Sequence, residues 1–307
     1  MKKTVLGLVG PTASGKTAVS IALAKALGGE ILCMDSMQIY RRMDIGTAKP
    51  TAAERAAAPH HLLDVCDPKD AFSVTEYAAL ARPLLDALPA PILVGGTGFY
   101  LRALSLPLDF GFVKGDEAVR EKYQTLLEQE GKDALHDRLL AVDPKSASKL
   151  HPNDTRRVIR ALEVYDLTGK PFSSQKMPDE TDAPYDFQLF AIDFPRETLY
   201  ARIERRVDEM MEMGLLSEVE GLLKSGVPLA AQSMQGLGYK ELAPCILEHA
   251  PLADAVALIK QRTRNYAKRQ LTWFRADKRI RWIPFDLRGD GAVKTILQSL
   301  EEANIGR

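Results

Sequence analysis

Short, continuously apolar runs alternate along this chain with stretches whose apolar residues recur every three to four positions, the pattern of buried parallel strands joined by helices. Thr4-Val-Leu-Gly-Leu-Val9 is the first apolar run, and residues 18–27 are the first helical stretch. Glu30 to Met34 reads as a second strand and His60-His61-Leu-Leu-Asp-Val65 as a further one, with a turn-rich loop, Ile45 to Pro50, between them. Residues 73–88 have helical spacing, and Ser73 with Glu76 three residues later forms a capping box. Pro91-Ile-Leu-Val-Gly-Gly-Thr-Gly98 is a buried strand running into a glycine turn.

The pattern then changes. From Asp116 to about Thr168 the helical period persists without strands: 116–130, 132–141, a short piece from Pro144, and 154–167. Asp143 and Asn153 are the expected starts of the last two, and Gly131 and Gly169 are expected stops. Residues 170–184 read as a linker returning to the core. Phe187 to Asp193 is a returning strand, followed by helices over 196–213 and 217–224, the second closed by Gly226. Ser233 to Lys240 is expected to be a flexible glycine turn carrying an aromatic and a base. A helix from Asp254, a strand Ile280–Pro284 and a fraying tail from Glu301 to Arg307 complete the chain.

Between the first strand and first helix stands Gly10-Pro-Thr-Ala-Ser-Gly-Lys-Thr17, a complete G-x-x-x-x-G-K-[ST] phosphate loop in the strand-loop-helix context that motif requires. Its glycines let the backbone curl so that N–H groups point inward, and the helix N-terminus adds positive potential. Lys16 supplies a point charge, and the Thr17 hydroxyl can bind a magnesium ion shared with phosphate oxygens. The expected fold is therefore α/β: a P-loop NTPase-like parallel sheet flanked by helices, with an inserted all-helical domain. Its expected boundaries are 1–112 for the first part of the core, 113–185 for the insertion and 186–307 for the rest.

Composition adds little to this. Among 307 residues, 46% apolar and 27% charged describe an ordinary globular chain, and no apolar run is long enough to span a membrane. The apolar stretch after Lys2 and Lys3 ends within six residues, too short for a signal peptide. Cys33, Cys66 and Cys245 are scattered without metal-ligand spacing, so they are expected to be reduced core thiols of a cytoplasmic protein. The paired histidines likewise lack partners at metal spacing.

Charge changes the picture more. The net charge is zero, yet residues 260–281 hold nine basic side chains against Asp277 alone, with Tyr266, Trp273, Phe274 and Trp282 interleaved. Such a +8 window points to a polyanion held on one face, with aromatic groups to stack on bases. Asp35 arrives at the C-terminal end of the second strand, the edge at which ligands of parallel sheets bind. Spacing leaves it as a reactive carboxylate, an acidic strand end, or a carboxylate holding magnesium through water. The glycines before Thr97 allow its hydroxyl to approach a phosphate. Arg156 and Arg160 share a helix face and suit either phosphate contact or pairing with Glu163 and Asp166. Arg202, Arg205 and Arg206 recur at spacings of three and four, so at least two can face one ligand, or the three can form a solvated face paired with Glu204 and Glu209.

Together these stretches resemble the tRNA dimethylallyltransferase family of the bacterial MiaA type, also called the IPP transferase family. The likeness rests on residues 10–17, Asp35-Ser-Met-Gln-Ile-Tyr40, Met43 to Pro50, Leu93 to Tyr100, His151-Pro-Asn-Asp154 with residues 156–163, Gly238-Tyr239, and Lys268-Arg-Gln-Leu-Thr-Trp-Phe-Arg275. It implies transfer of a dimethylallyl group from dimethylallyl diphosphate to N6 of the adenosine at tRNA position 37, beside the anticodon. By resemblance Gly10, Pro11, Thr12, Ala13, Ser14, Gly15, Lys16, Thr17 and Arg206 bind the diphosphate, with magnesium at Thr17. Asp35 takes the proton from N6, and Thr97 meets the bridging oxygen. The implied contacts to the anticodon stem-loop are Asp35, Ser36, Met37 and Gln38 at the extruded base, Arg120, Arg156, Arg157 and Arg160 in the insertion, and Gly238, Tyr239, Lys268, Arg269, Gln270, Trp273 and Arg275. A monomer is expected, with no membrane partner. No zinc is expected, because the Cys and His ligands of the longer eukaryotic relatives are missing.

Overall fold

The computed structural model describes residues 2–107, 113, 115–174, 183–285 and 290–305. Two compact units divide the chain: residues 1–105 with 183–307, and residues 106–182. The sequence-based boundary at 112 and 113 falls where residue 112 lies outside the described residues. Tyr185, assigned from sequence to the insertion, is instead the first residue of a core strand.

In the larger unit six strands, β1 (Lys3–Val9), β2 (Glu30–Cys33), β3 (His60–His61), β4 (Pro91–Gly95), β5 (Tyr185–Asp193) and β6 (Ile280–Pro284), form one parallel sheet. Their order is β3-β2-β4-β1-β5-β6. All five pairings are parallel, as expected of strands joined by helical crossovers. The fold is thus the expected P-loop NTPase-like one. The register decides where chemistry can gather: Val9 lies opposite Gly95 and Ala191, and Cys33 lies opposite Val94. Gly10, Asp35 and Gly96 therefore emerge at a single carboxyl edge. Close approach there needs a glycine, since a Cβ at Gly95 would stand 1.9 Å from the Met34 carbonyl oxygen.

The helices are α1 (Lys16–Leu27), α2 (Ala52–Ala57), α3 (Val74–Ala87), α4 (Gly98–Ser105), α5 (Glu117–Val142), α6 (Pro144–Ala147), α7 (Thr155–Thr168), α8 (Arg196–Glu212), α9 (Leu215–Lys224), α10 (Tyr239–Leu247), α11 (Leu252–Ala276) and α12 (Gly291–Ile305). The Ser73 and Glu76 capping box forms as the sequence predicts. One core cluster joins Leu8, Leu23, Ile31, Ile92 and Phe190 to Ile296 of α12. Burial of Ala292 and Ile296 turns the expected tail from Glu301 into the last turn of a helix, up to Ile305. A second cluster packs Tyr40, Met43, Val207, Leu215, Val219, Tyr239 and Ile259 beneath the loop after β2.

Other expectations need correction. β3 has two residues rather than six, because Leu62 and Asp64 adopt φ of 63° and 59° and turn the chain away. Only part of Ser233 to Lys240 is a turn: Ser233–Gln235 is a 3-10 turn, and α10 begins at Tyr239, its helical spacing masked in sequence by Gly238 and the internal Pro244.

In the smaller unit Gly131, at φ 84° and ψ 173°, breaks α5 where the sequence places a stop. Tyr123, Leu135, Leu139, Val158 and Leu162 form its core. Asp143 caps α6 through the Ser146 N–H and also receives the Ser173 N–H. Asp154 rather than Asn153 is the N-cap of α7, and the Asn153 side-chain oxygen accepts from Lys132 Nζ instead. Phe172–Ser174 is a 3-10 turn inside the expected linker, whose residues 175–182 lie outside the described residues.

Candidate active site

Three residues with positive φ, Gly10 (136°), Ala13 (62°) and Gly15 (74°), curl the loop between β1 and α1. Ala13 holds this conformation at a cost of about 1–2 kcal/mol for an L-residue, and Arg202 Nε restrains it by donating to the Ala13 carbonyl at 2.8 Å. Lys16 Nζ lies in the bowl of the loop, donating to the Gly10 carbonyl at 3.1 Å and the Pro11 carbonyl at 2.6 Å. Burial, then the nearby Arg206 charge, lowers the Lys16 pKa to about 8. Burial and Arg202 likewise make the charge of Arg206 costly. Two crowded cations beside one loop make a place where an arriving anion would relieve their repulsion.

Of the three arginines on α8, Arg206 lines the cavity over the phosphate loop and Arg202 braces the loop from behind. Arg205 is 69% exposed and pairs with Glu209. Sequence spacing left this choice open.

Asp35 follows β2 into the same cavity. Its Oδ1 accepts the Met37 N–H at 2.9 Å and the Gln38 N–H at 3.4 Å; among the described residues Oδ2 takes no protein hydrogen bond. Burial pushes the carboxyl pKa up, against those N–H groups and the Lys16 charge. A carboxylate beside cations yet raised by burial has an environment suited to taking up a proton. Thr97 Oγ accepts the Ser36 N–H at 3.0 Å and lies 3.4 Å from the Ser36 hydroxyl. Gly96 lines the cavity, while Thr97 itself is turned onto Ser36.

Gln38 is less free than the sequence suggests. Its Nε2 donates to the Thr47 and Ala48 carbonyls, both at 3.0 Å, and its Oε1 accepts from the Cys33 thiol at 3.2 Å. Burial and Asp35 push that thiol up, keeping it a protonated donor.

The loop Asp44–Gly46 wraps the Glu218 carboxylate, which accepts three successive backbone N–H groups and the Tyr239 hydroxyl. Tyr239 is fully buried against Gly46, where a Cβ would meet its ring at 2.6 Å. Tyr239, implied by resemblance as an RNA contact, lines the cavity while Glu218 and Gly46 hold it in place. Lys49, also buried, joins Asp44, Asp64 and the Tyr40 carbonyl. Glu218 carries no sequence signal, because three of its four partners are main-chain groups some 170 residues away.

The basic window divides sharply once folded. Lys260, Arg262, Arg264, Arg275 and Arg279 pair with Asp208, Glu241, Glu204, Asp193 and Asp277. Arg275 also covers the Trp282 ring at 4.6 Å, and Phe274 is fully buried. Lys268, Arg269 and Trp273 are exposed on α11, Arg269 with its guanidinium 5.7 Å from the Tyr266 ring. Gln270, expected to contact RNA, is 6% exposed: its Oε1 accepts the Thr12 N–H at 2.9 Å and its Nε2 donates to the Gly96 carbonyl at 2.8 Å.

In the smaller unit Arg120 and Arg160 both bind Glu163, a fully buried carboxylate that also accepts the Asp116 N–H. Pairing with Glu163 is therefore the answer for Arg160, and Asp166 instead takes Lys122 and Tyr123. Arg157 pairs with Asp154 while 75% exposed, and Arg156 lies exposed on the same helix.

Phosphate loop, Asp35, Arg206 and Tyr266 line one cavity of about 360 Å³, within the range of small-molecule sites. Among the described residues no helix is long and apolar enough to cross a membrane, and no three His, Cys, Asp or Glu side chains gather as a metal site.

The IPP transferase family model matches residues 38–277, and an isopentenyl transferase model matches residues 3–64. A tRNA dimethylallyltransferase of Pelotomaculum thermopropionicum is 47% identical over 289 residues, covering 93% of this chain and 92% of its own. That of Halalkalibacterium halodurans is 44% identical over 303 residues, 97% of this chain and 96% of its own. Among solved structures, the full-length tRNA isopentenylpyrophosphate transferase of Bacillus halodurans is similar with a TM-score of 0.72 at 41% identity, over 98% of each chain. A eukaryotic dimethylallyltransferase acting on tRNA reaches a TM-score of 0.81 at 29% identity, over 99% of this chain and 80% of that one. Matched across residues 38–277, and 47% identical to a relative over 93% of its length, this chain belongs to the IPP transferase family.

Proposed function

We propose that this protein transfers the dimethylallyl group of dimethylallyl diphosphate to N6 of the adenosine at tRNA position 37. One observation carries the reading: Asp35, whose pKa burial raises, and a phosphate loop containing Lys16 and facing Arg206 line the same cavity. A base and a diphosphate cradle at one sheet edge suit an alkylation in which diphosphate leaves.

The carbon–oxygen bond to diphosphate breaks with its electron pair staying on oxygen, and the allylic carbon bears the developing positive charge. Lys16, the loop amides and Arg206 stabilise the leaving anion, contacts of a kind worth about 3–4 kcal/mol each when preorganised. The N6 lone pair closes the new nitrogen–carbon bond, and its proton passes to Asp35. Thr97 donates to the bridging oxygen after its hydroxyl turns from Ser36. Thr17 lines the cavity at the start of α1. One hydroxyl with no acidic cluster fits magnesium, which keeps several waters and takes its remaining oxygens from substrate phosphates. Bound there, the ion would neutralise charge on the leaving diphosphate.

Adenine inside a stem-loop reaches Asp35 only when extruded. The exposed Lys268, Arg269 and Trp273 on α11, and Arg156 and Arg157 on α7, supply phosphate and stacking contacts for the flanking RNA. Arg269→Ala is expected to weaken stem-loop binding and to lower the slope of log K against log salt by about one. Arg275→Ala should do less, since Asp193 already neutralises that side chain. Equal salt slopes in wild type and Arg269→Ala would remove Arg269 from the interface.

The reading is tested by mass spectrometry of nucleosides from tRNA incubated with the protein and either dimethylallyl diphosphate or ATP. A product heavier than adenosine by one dimethylallyl group, formed only with the first donor, is expected. Turnover of ATP without prenylated nucleoside would overturn it.

A further inference from the structure

Gln270 lines the cavity, yet both ends of its side-chain amide are taken by the protein's own backbone. Its side-chain amide lies between the phosphate loop and the β4–α4 turn, one atom bonded to each. We propose that Gln270 is a positioning residue for the diphosphate site, fixing the phosphate loop and the Thr97 turn in register through the Thr12 N–H and the Gly96 carbonyl. The proposal rests on the reading of this cavity as a diphosphate site.

Three features of the contact specify a neutral amide. The site offers one donor and one acceptor from opposite sides, and only a side chain with one of each satisfies both. The Gln270 side chain is buried, so a hydrocarbon there would leave the Gly96 carbonyl and the part-buried Thr12 N–H without this partner, and a carboxylate would face a carbonyl. Space is also taken up: a Cβ at Gly96 would lie 2.2 Å from Gln270 Nε2. One turn further along α11, a Cβ at Gly98 would lie 2.1 Å from Trp273 Nε1. Thr97 is therefore bracketed on both sides by α11. A further consequence is that the Thr12 N–H, engaged by Gln270, is not one of the loop donors offered to the diphosphate.

The test uses the full chain with Gln270→Leu and Gln270→Glu. It follows affinity for magnesium pyrophosphate by calorimetry, kcat and KM for dimethylallyl diphosphate, and affinity for an anticodon stem-loop, each as a ratio to wild type at the same pH. Gln270→Leu should weaken pyrophosphate binding and raise KM roughly 10- to 50-fold, because the phosphate loop and the Thr97 turn lose the side chain that holds them in register. Stem-loop affinity should stay within about threefold, because Gln270, named as an RNA contact only by resemblance, is 6% exposed and has both side-chain polar atoms bonded to the backbone. Gln270→Glu should show its largest deficit at alkaline pH and recover as pH falls, since the protonated acid again presents one donor and one acceptor.

Normal pyrophosphate affinity in Gln270→Leu, with loss only in Gln270→Glu, would mean simple charge repulsion and would overturn the proposal. So would a Gln270→Glu deficit that is flat with pH. Should Gln270→Leu fail to fold, amide exchange at Thr12 without ligand decides. Protection in wild type that is lost in Gln270→Glu at alkaline pH and regained at acidic pH supports the contact, and equal exchange overturns it. Pyrophosphate binding needs no prenyl transfer, so a wild-type protein that binds pyrophosphate but modifies no RNA would defeat the functional reading while leaving this test intact.

Discussion

Asp35→Asn is expected to lower prenyl transfer by roughly 10²–10⁴-fold, the usual worth of a positioned base, while stem-loop affinity stays within about threefold. Asn keeps an oxygen for the Met37 and Gln38 N–H groups, so the loop after β2 has no reason to move. What it loses is the ability to accept the proton from N6. Asp35→Ala should lose as much activity and additionally loosen that loop. The pH profile gives an independent check. Burial raises the carboxyl pKa, so in the wild type the acidic limb of kcat/KM should lie above the ordinary carboxylate range, rising as Asp35 ionises, and should vanish in Asp35→Asn. Activity of Asp35→Asn within tenfold of wild type would remove Asp35 as the base.

Lys16→Met carries the second large effect. Lys16 lies inside the bowl of the phosphate loop, and its loss should weaken pyrophosphate binding about 10²–10³-fold with a comparable loss in kcat/KM. Its titration adds a sign. With a pKa lowered to about 8 in the free protein, Lys16 is protonated below that pH and neutral above it. Wild-type affinity for pyrophosphate should therefore fall as pH rises through about 8, because binding above that point must take up a proton. In Lys16→Met that part of the decline should disappear. Wild-type affinity independent of pH between 7 and 9.5, measured by calorimetry, would show that Lys16 does not meet the anion.

Much of this architecture is legible in one dimension, for reasons that differ by element. The apolar runs of β1, β4 and β5 have to be strands of a covered parallel sheet, and a G-x-x-x-x-G-K-T turn after the first has a single well-defined geometry. The Ser73 capping box and the Gly131 break are equally local. Helix α12 was missed because its existence depends on burying Ala292 and Ile296 against β-strand residues far away in sequence. α10 was missed because glycines and Pro244 lower its local propensity while Tyr239 and Leu242 bury completely.

The sequence by itself determined the phosphate loop, the arrival of Asp35 at a strand end, and the chain's likeness to a family, because each is a short-range pattern whose physics is complete within a few residues. Tertiary structure alone decided which charges are spent on the protein. The +8 window reads as an RNA face, yet Glu204, Asp208, Glu241 and Asp193 come from other elements to neutralise four of its cations, and Glu163 claims two arginines of the insertion. It likewise turned Gln270 inward and Tyr239 onto Gly46. Apart from the Arg160–Glu163 pair on one helix, these ion pairs and buried hydrogen bonds join partners from about 20 to about 260 residues apart, brought together only by the fold, so no period or spacing announces them.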